Sequence, residues 1–343
     1  MTALVTNATG GAGDRRHASA EPAAAAARPS AAGPIRSWLA DWASAWNGFW
    51  FSPADPLPLA VIRIATGLIL SWSCLVWLLD PDAFFGPRGW LAPGDVWRLN
   101  DQPWQWSWFF VADGPNAVRV LGGIALVAAV MLTVGLATPL AAVVSLAALV
   151  SAANRAPLNT FGLDDTLGLL LIGLAVGPSG ARLSVDSSLA GQGRGAASVR
   201  ANIALRLIQV HLCVVYFFSG CGKLFGGSWW DGTALWGAAA NVQYRTIDLT
   251  WTAGLPLLVN AVTLVTLFWE VAYAALIWPR LTRPLFLALA VAVHLGIGLA
   301  MGMMEFGLAM ITANLAFVSA ATWRWLLPSL RTSPRHSPPT DLA

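Results

Sequence analysis

Apolar residues gather into eight runs, over approximately residues 57–79, 116–136, 138–154, 165–178, 200–224, 255–278, 283–304 and 306–327. Long runs with so few charges are the pattern of helices that cross a bilayer, each needing about 20 residues. The third and fourth runs fall short of that length. The fourth, "TLGLLLIGLAVG", suits either a short span or a re-entrant segment paired with its neighbour. Ahead of the first run the period changes. Ile35, Trp38, Leu39, Trp42, Trp46, Phe49 and Trp50 recur at helical spacing, with Asp41, Ser44 and Asn47 off that stripe. Such a segment predicts an amphipathic helix lying in the membrane interface, anchored by tryptophan. The fold class expected is therefore all-α: a polytopic membrane helix bundle of about eight transmembrane helices plus an N-terminal interfacial amphipathic helix. It occupies residues 35–328. Residues 1–34, rich in Ala, Gly and Pro, and residues 329–343 read as disordered tails. Two polar stretches, 80–115 and 226–254, carry many tryptophans, and "SWWDGTALWGAAAN" in the second predicts a short interfacial helix.

Composition narrows the picture. The chain is 57% hydrophobic and 11% charged, which excludes a soluble domain of this size. Its basic residues are scattered, so nothing marks a nucleic-acid partner. Cys74, Cys213 and Cys221 have neither disulfide nor metal spacing, and no metal site is expected. Membrane lipids are the partners implied. With the N-terminus inside, Arg15, Arg16, Arg28, Arg36, Arg182, Arg194, Arg200, Arg280, Arg283, Arg324, Arg331 and Arg335 share one side. The other side receives Arg88, Arg98, Arg119, Arg155, Lys223 and Arg245, together with Asp80, Asp82, Asp95, Asp101 and Asp113. That bias predicts a multi-pass protein of the cell (inner) membrane with both termini cytoplasmic.

Ionisable residues inside a span are costly, so each is a candidate for function. Arg63 lies two turns into the first run, where a long side chain can also snorkel to the interface. His211 lies about 16 Å along the fifth, near mid-bilayer. Glu270 and His294 sit at nearly equal reach on either side of the turn near Leu281. His294 and Asn314 do the same about the turn near Met304. Glu270, His294 and Asn314 are thus expected in one layer, with His211 at similar depth and a direct Glu270–His294 contact. Polar residues so placed serve either as glue between helices or as a site. Lys223 is the only lysine in the chain. Counting back by helical steps puts Gly220, Tyr216, Cys213 and Gln209 on its face. The small residues Ser219, Gly220 and Gly222 allow a helix or flat ligand to come close. An amine can give up its proton near neutral pH and act as a base, which arginine cannot. The expectation is that Lys223 faces a pocket lined also by Tyr216 and walled by the tryptophan-rich loops.

Four stretches carry a resemblance: "LPLAVIRIATG", "RLIQVHLCVVYFFSGCGKLFGGSWWDGTALWG", "FWEVAYAALIWPR" and "VAVHLGIGLAMGMMEFGLAM". With "ARLSVDSSL" they resemble the HTTM membrane domain, the bacterial group similar to the membrane part of vitamin K-dependent γ-carboxylase. The likeness covers roughly residues 45–328. It implies a helical membrane bundle and chemistry on vitamin K or menaquinone hydroquinone, with Lys223 matching the base that deprotonates the quinol. Two departures stand out. Where the carboxylases carry a histidine, this chain reads "NTFGLDDTLG", with Asp164 and Asp165. Their large extracytoplasmic domain has no counterpart here, which argues against protein carboxylation. The residues assigned to such a site are Lys223 as catalytic base, with Tyr216, Gln209, His211, Arg63, Glu270, His294 and Asn314 binding substrate or cofactor. The alternative is a non-catalytic membrane protein: a lipid or quinone binder, a partner subunit or a small transporter.

The orientation can be checked directly. Reporter fusions at Gly94 and Asn241 are expected to read external, and one at Gly191 cytoplasmic. Opposite readings at two of the three would reverse the arrangement.

Overall fold

The structure is a computed structural model that describes residues 33–87, 89–99, 105–112, 114–190 and 195–327. The expected disordered tails, apart from Gly33 and Pro34, lie outside the described residues, as do Arg88, Asp101, Asp113 and Arg194. Two compact units divide between Trp46 and Asn47. The first holds the start of α1 (Pro34–Phe51). There Trp42 stacks on Trp46 at 5.5 Å, and Ile35, Trp38 and Leu39 are exposed. The predicted amphipathic helix is present, with its apolar stripe exposed from Ile35 to Trp46.

The second unit follows the apolar runs. After α2 (Leu57–Leu79) come the short α3 (Pro81–Phe85) and α4 (Pro93–Leu99), then α5 (Pro115–Val134) and α6 (Thr138–Arg155). Next are α7 (Gly162–Val176), the short α8 (Val185–Leu189), α9 (Val199–Leu224), and the short α10 (Gly227–Trp230) and α11 (Ala234–Ala240). The chain continues through α12 (Pro256–Leu276), α13 (Arg283–Met301), α14 (Met304–Asn314) and α15 (Ala320–Leu326). Among the described residues there is no strand, only an isolated bridge between Ala54 and Ser198. An all-α membrane bundle is thus what the chain forms.

Two of the eight runs are short or broken as helices. Among the described residues six helices, α2, α5, α6, α9, α12 and α13, are long and apolar enough to cross a membrane, or seven if the bent pair at the end counts as one span. The fourth run folds as α7, only 15 residues long. The eighth breaks: Met304–Phe317 and α15 meet at 112°. Val318 is extended there, and the Ser319 hydroxyl caps α15 by accepting from the Thr322 N–H at 3.1 Å. The extended Val318 ends one helix and the Ser319 cap starts the next in a new direction, where the apolar pattern alone continues.

Helix α2 packs against α5 and α14, α9 against α12 and α7, and α13 against α14. Away from these contacts the bundle is apolar outward. Val120, Ile124, Val127, Val130 and Val134 line one exposed face of α5 at helical spacing, as a lipid-facing surface should.

Two buried arginines tie loops to this bundle. Arg63 does not snorkel. It is fully buried and donates to the carbonyls of Ser179, at 3.3 Å, and Leu183. Leu183 has φ of 51°, a left-handed conformation that turns its carbonyl toward the guanidinium. Three residues on, Asp186 accepts from the Ala137 and Thr138 N–H groups at 2.9 and 2.8 Å, holding the start of α6. At the other end of α6, Arg155 donates to the carbonyls of Phe85, at 3.1 Å, and Gly86, at 2.5 Å. Phe85 stacks on Phe109 at 4.1 Å, so the 80–115 loop has a small core of its own.

Replacing Arg63 with Leu strands both carbonyls without a donor. The expected loss is about 3 kcal/mol, read as a lowered thermal transition in detergent. Arg119→Leu, on an exposed face of α5, should stay within about 0.5 kcal/mol of the parent.

Candidate functional site

The site is built on α9. Tyr216, Ser219 and Lys223 follow one another at helical steps, so all three face the same way. Gly220, beside them, lets α12 come close. A Cβ there would lie 2.9 Å from the Val271 nitrogen and 3.1 Å from the Glu270 carbonyl carbon. The two backbones therefore touch where Glu270 leaves α12. Gly307 of α14 plays the same part against the His294 carbonyl of α13. Glycine at each crossing brings a polar side chain within reach of its partner across the helix interface.

Lys223 Nζ lies 2.6 Å from Glu270 Oε2 and 2.6 Å from Ser219 Oγ, and Ser219 donates to the same carboxylate at 3.3 Å. The amine also sits 5.3 Å from the centre of the Trp229 ring, a cation–π contact. The acid is the deeper partner: its side chain is 9% exposed against 22% for the lysine. Solvent, or a ligand, meets the amine first.

Below this pair runs a directional row of hydrogen bonds. Asn314 Nδ2 donates to the Met310 carbonyl at 2.9 Å, and a carbonyl can only accept. The same nitrogen therefore donates to the Tyr216 hydroxyl at 3.0 Å. Tyr273 donates to Asn314 Oδ1 at 2.5 Å. Tyr216, already accepting from Asn314, gives its own proton to His294 Nε2 at 2.8 Å. A neutral His294 then carries hydrogen on Nδ1. That atom is buried and has no hydrogen-bond partner among the described residues.

Both groups border a cavity of about 460 Å³ enclosed by α7, α9, α12, α13 and α14. Its polar lining includes Lys223, Glu270, Tyr216, His294 and Asp165, with Phe306 and Met310 as apolar wall. An adjoining space of about 440 Å³ shares Asp165, Leu169 and His211 and is otherwise mostly apolar, with Leu146, Leu149, Val150 and Ile172. The composite is a polar head chamber beside an apolar groove.

Lys223, Tyr216, Glu270 and His294 are thus brought to one cavity, with Asn314 behind them. The expected Glu270–His294 contact does not form: Glu270 turns to Lys223, and His294 to Tyr216. Equal depth matched their levels, but the lysine and tyrosine of α9 stand between α12 and α13 and capture them. His211 lines the rim, is exposed, and has Nδ1 2.8 Å from its own helix's Leu207 carbonyl. Gln209 lies on the predicted face but not in this cavity. It is 14 residues from Lys223, about 21 Å along a helix, and donates to the Ala316 carbonyl at 2.7 Å. Arg63 is held in the loop contacts above. Among the described residues the tryptophan-rich loops do not wall the cavity either; Trp229 approaches the amine, while Phe85 and Phe109 of the 80–115 loop pack against Val118 of α5 and Ala152 of α6. Tyr273 was not foreseen. Its signal is composition: the chain has three tyrosines, and two meet at Asn314.

No family model, no curated protein and no solved structure matches the chain.

Double-mutant cycles separate the pairings. Lys223→Met and Glu270→Leu are each expected to cost about 3 kcal/mol, and together much less than their sum, because each alone strands a buried charge. Glu270→Gln with His294→Leu should be additive to within about 0.5 kcal/mol. Thermal unfolding in detergent reads both.

Proposed function

We propose that this integral membrane protein binds a quinol in the α9 cavity and that Lys223, paired with Glu270, takes its hydroxyl proton. The observation that carries this reading is the Lys223–Glu270 ion pair on the wall of a chamber that also holds Tyr216 and His294. For Lys223 to act, its own proton passes first to Glu270; the neutral amine then takes the quinol proton, which leaves both groups protonated and the quinol anionic. Trp229 and Ser219 keep the ammonium form in place. His294 Nδ1–H offers a donor for a ligand oxygen, and the Tyr216–Asn314–Tyr273 row holds that imidazole in the required tautomer. The neighbouring apolar groove suits an isoprenoid tail entering sideways from the membrane. The resemblance to the membrane part of vitamin K-dependent γ-carboxylase points to reduced vitamin K or menaquinone as the ligand class. In that chemistry the quinol anion meets oxygen; one oxygen atom closes the epoxide and the other leaves as water. The protein sits in the cell membrane with both ends cytoplasmic.

One observation favours a second reading. Lys223 is already engaged by Ser219, Glu270 and Trp229, as an anchoring cation would be. The protein would then be a non-catalytic lipid or quinone binder, a partner subunit or a small transporter.

Incubating purified protein with reduced menaquinone and oxygen, and following epoxide, decides between them. Wild type is expected to form epoxide, and Lys223→Arg to lose it at least a hundredfold, on the order of a general-base contribution, while still binding quinone. If both are inert yet bind quinone, Lys223 is an anchor and the non-catalytic reading stands.

A further inference from the structure

The opposite half of α9 borders a separate cavity of about 290 Å³. Its polar lining comprises Asp55, Asn202, Arg206, Gln209 and Arg283. The Arg206 guanidinium lies 4.2 Å from the Phe49 ring centre and 5.7 Å from that of Trp278. Its Nε donates to the Phe49 carbonyl at 3.2 Å and Nη1 to Gln209 Oε1 at 2.9 Å. Arg283 donates to the carbonyls of Ile277, at 3.2 Å, and Trp278, at 2.5 Å. All four acceptors are neutral. Neither arginine forms an ion pair among the described residues. Asp55, the carboxylate in the lining, is taken by Arg182 and Arg324. Arg206 and Arg283 also repel each other. Two positive charges thus flank one recess with no free counter-charge inside it. Both side chains are partly exposed, so their charge stays open to an anionic ligand.

Arg283 opens α13 at the turn after α12, the end of a span where headgroups lie. Arg206 is seven residues into α9, about 10 Å along its axis, and its long side chain carries the guanidinium to Phe49 and Trp278 beside that turn. Trp278, an interfacial residue type, lines it. Basic recesses between membrane helices are where anionic lipid headgroups dock. We infer that this recess binds the phosphate of an anionic phospholipid headgroup, held between Arg206 and Arg283. Stacking on Phe49 keeps the Arg206 plane fixed, so its remaining donor edge meets the phosphate without losing much rotamer freedom. The inference needs only the membrane bundle and is independent of any quinol chemistry at Lys223.

The test uses the full-length protein in detergent, titrated with phosphatidylglycerol, phosphatidylcholine or inorganic phosphate. Thermal transition and lipid retention by native mass spectrometry are read together. Phosphatidylglycerol should raise the transition and stay bound; phosphatidylcholine and inorganic phosphate should do neither. Arg206→Gln and Arg283→Gln should each weaken phosphatidylglycerol binding about fivefold, and Arg98→Gln on the exposed α4 should leave it unchanged. Equal effects of the two lipids would overturn the site. Inorganic phosphate acting as strongly as the lipid would overturn the lipid assignment in favour of a soluble phosphate. Should Arg206→Gln fail to fold, Arg283→Gln and the wild-type salt dependence still decide: affinity unchanged between low and high salt defeats the proposal.

Discussion

A polar group held inside a bilayer cannot turn to water, so it must find its partner within the protein. Arg63, Arg155 and Asn314 show what that demand does to the fold. The two arginines are fully buried, and each donates to backbone carbonyls of a loop that would otherwise leave them open. Loops at both ends of the bundle are thereby fastened by charges inside it. The left-handed Leu183 fits this view, because its strained backbone puts a carbonyl in reach of Arg63. Asn314 satisfies its amide by joining the tyrosines of α9 and α12 to its own helix.

The same helix serves two places. One face of α9 carries Gln209 and Tyr216 and ends at Lys223, but its length separates them into a recess near its start and a chamber at the far end. Glycine decides where neighbours may approach. Gly220 admits α12 beside Glu270, and Gly307 seats α14 on α13 beside His294. These contacts are local, so the polar cluster forms where backbones come closest.

Periodicity made the helices, the interfacial segment and the polar face of α9 legible. Counting from turns also placed Glu270, His294 and Asn314 at matching depth, because antiparallel helices share a common rise. It could not say which way each side chain turns, so Glu270 was matched with His294 when Lys223 and Tyr216 lie nearer. Arg63 illustrates the same gap: a charge near a helix end reads as snorkelling until the loop that buries it is known. The break before α15 was hidden as well, since an extended residue followed by a serine cap redirects the chain without interrupting its apolar pattern.

The row from Tyr273 to His294 has a consequence for proton traffic. A conducting wire needs every member to accept a proton on one side as it releases another on the opposite side. Tyrosine and imidazole can do this; a carboxamide cannot, because its nitrogen holds its hydrogens and its oxygen is far too weak a base. Asn314 therefore transmits orientation and blocks charge. Tyr273 is electrically insulated from the Lys223 chamber although it is tied to it by hydrogen bonds. The ionisable side chains of that chamber nearest solvent are Asp165, His211 and Lys223, on the side away from Tyr273.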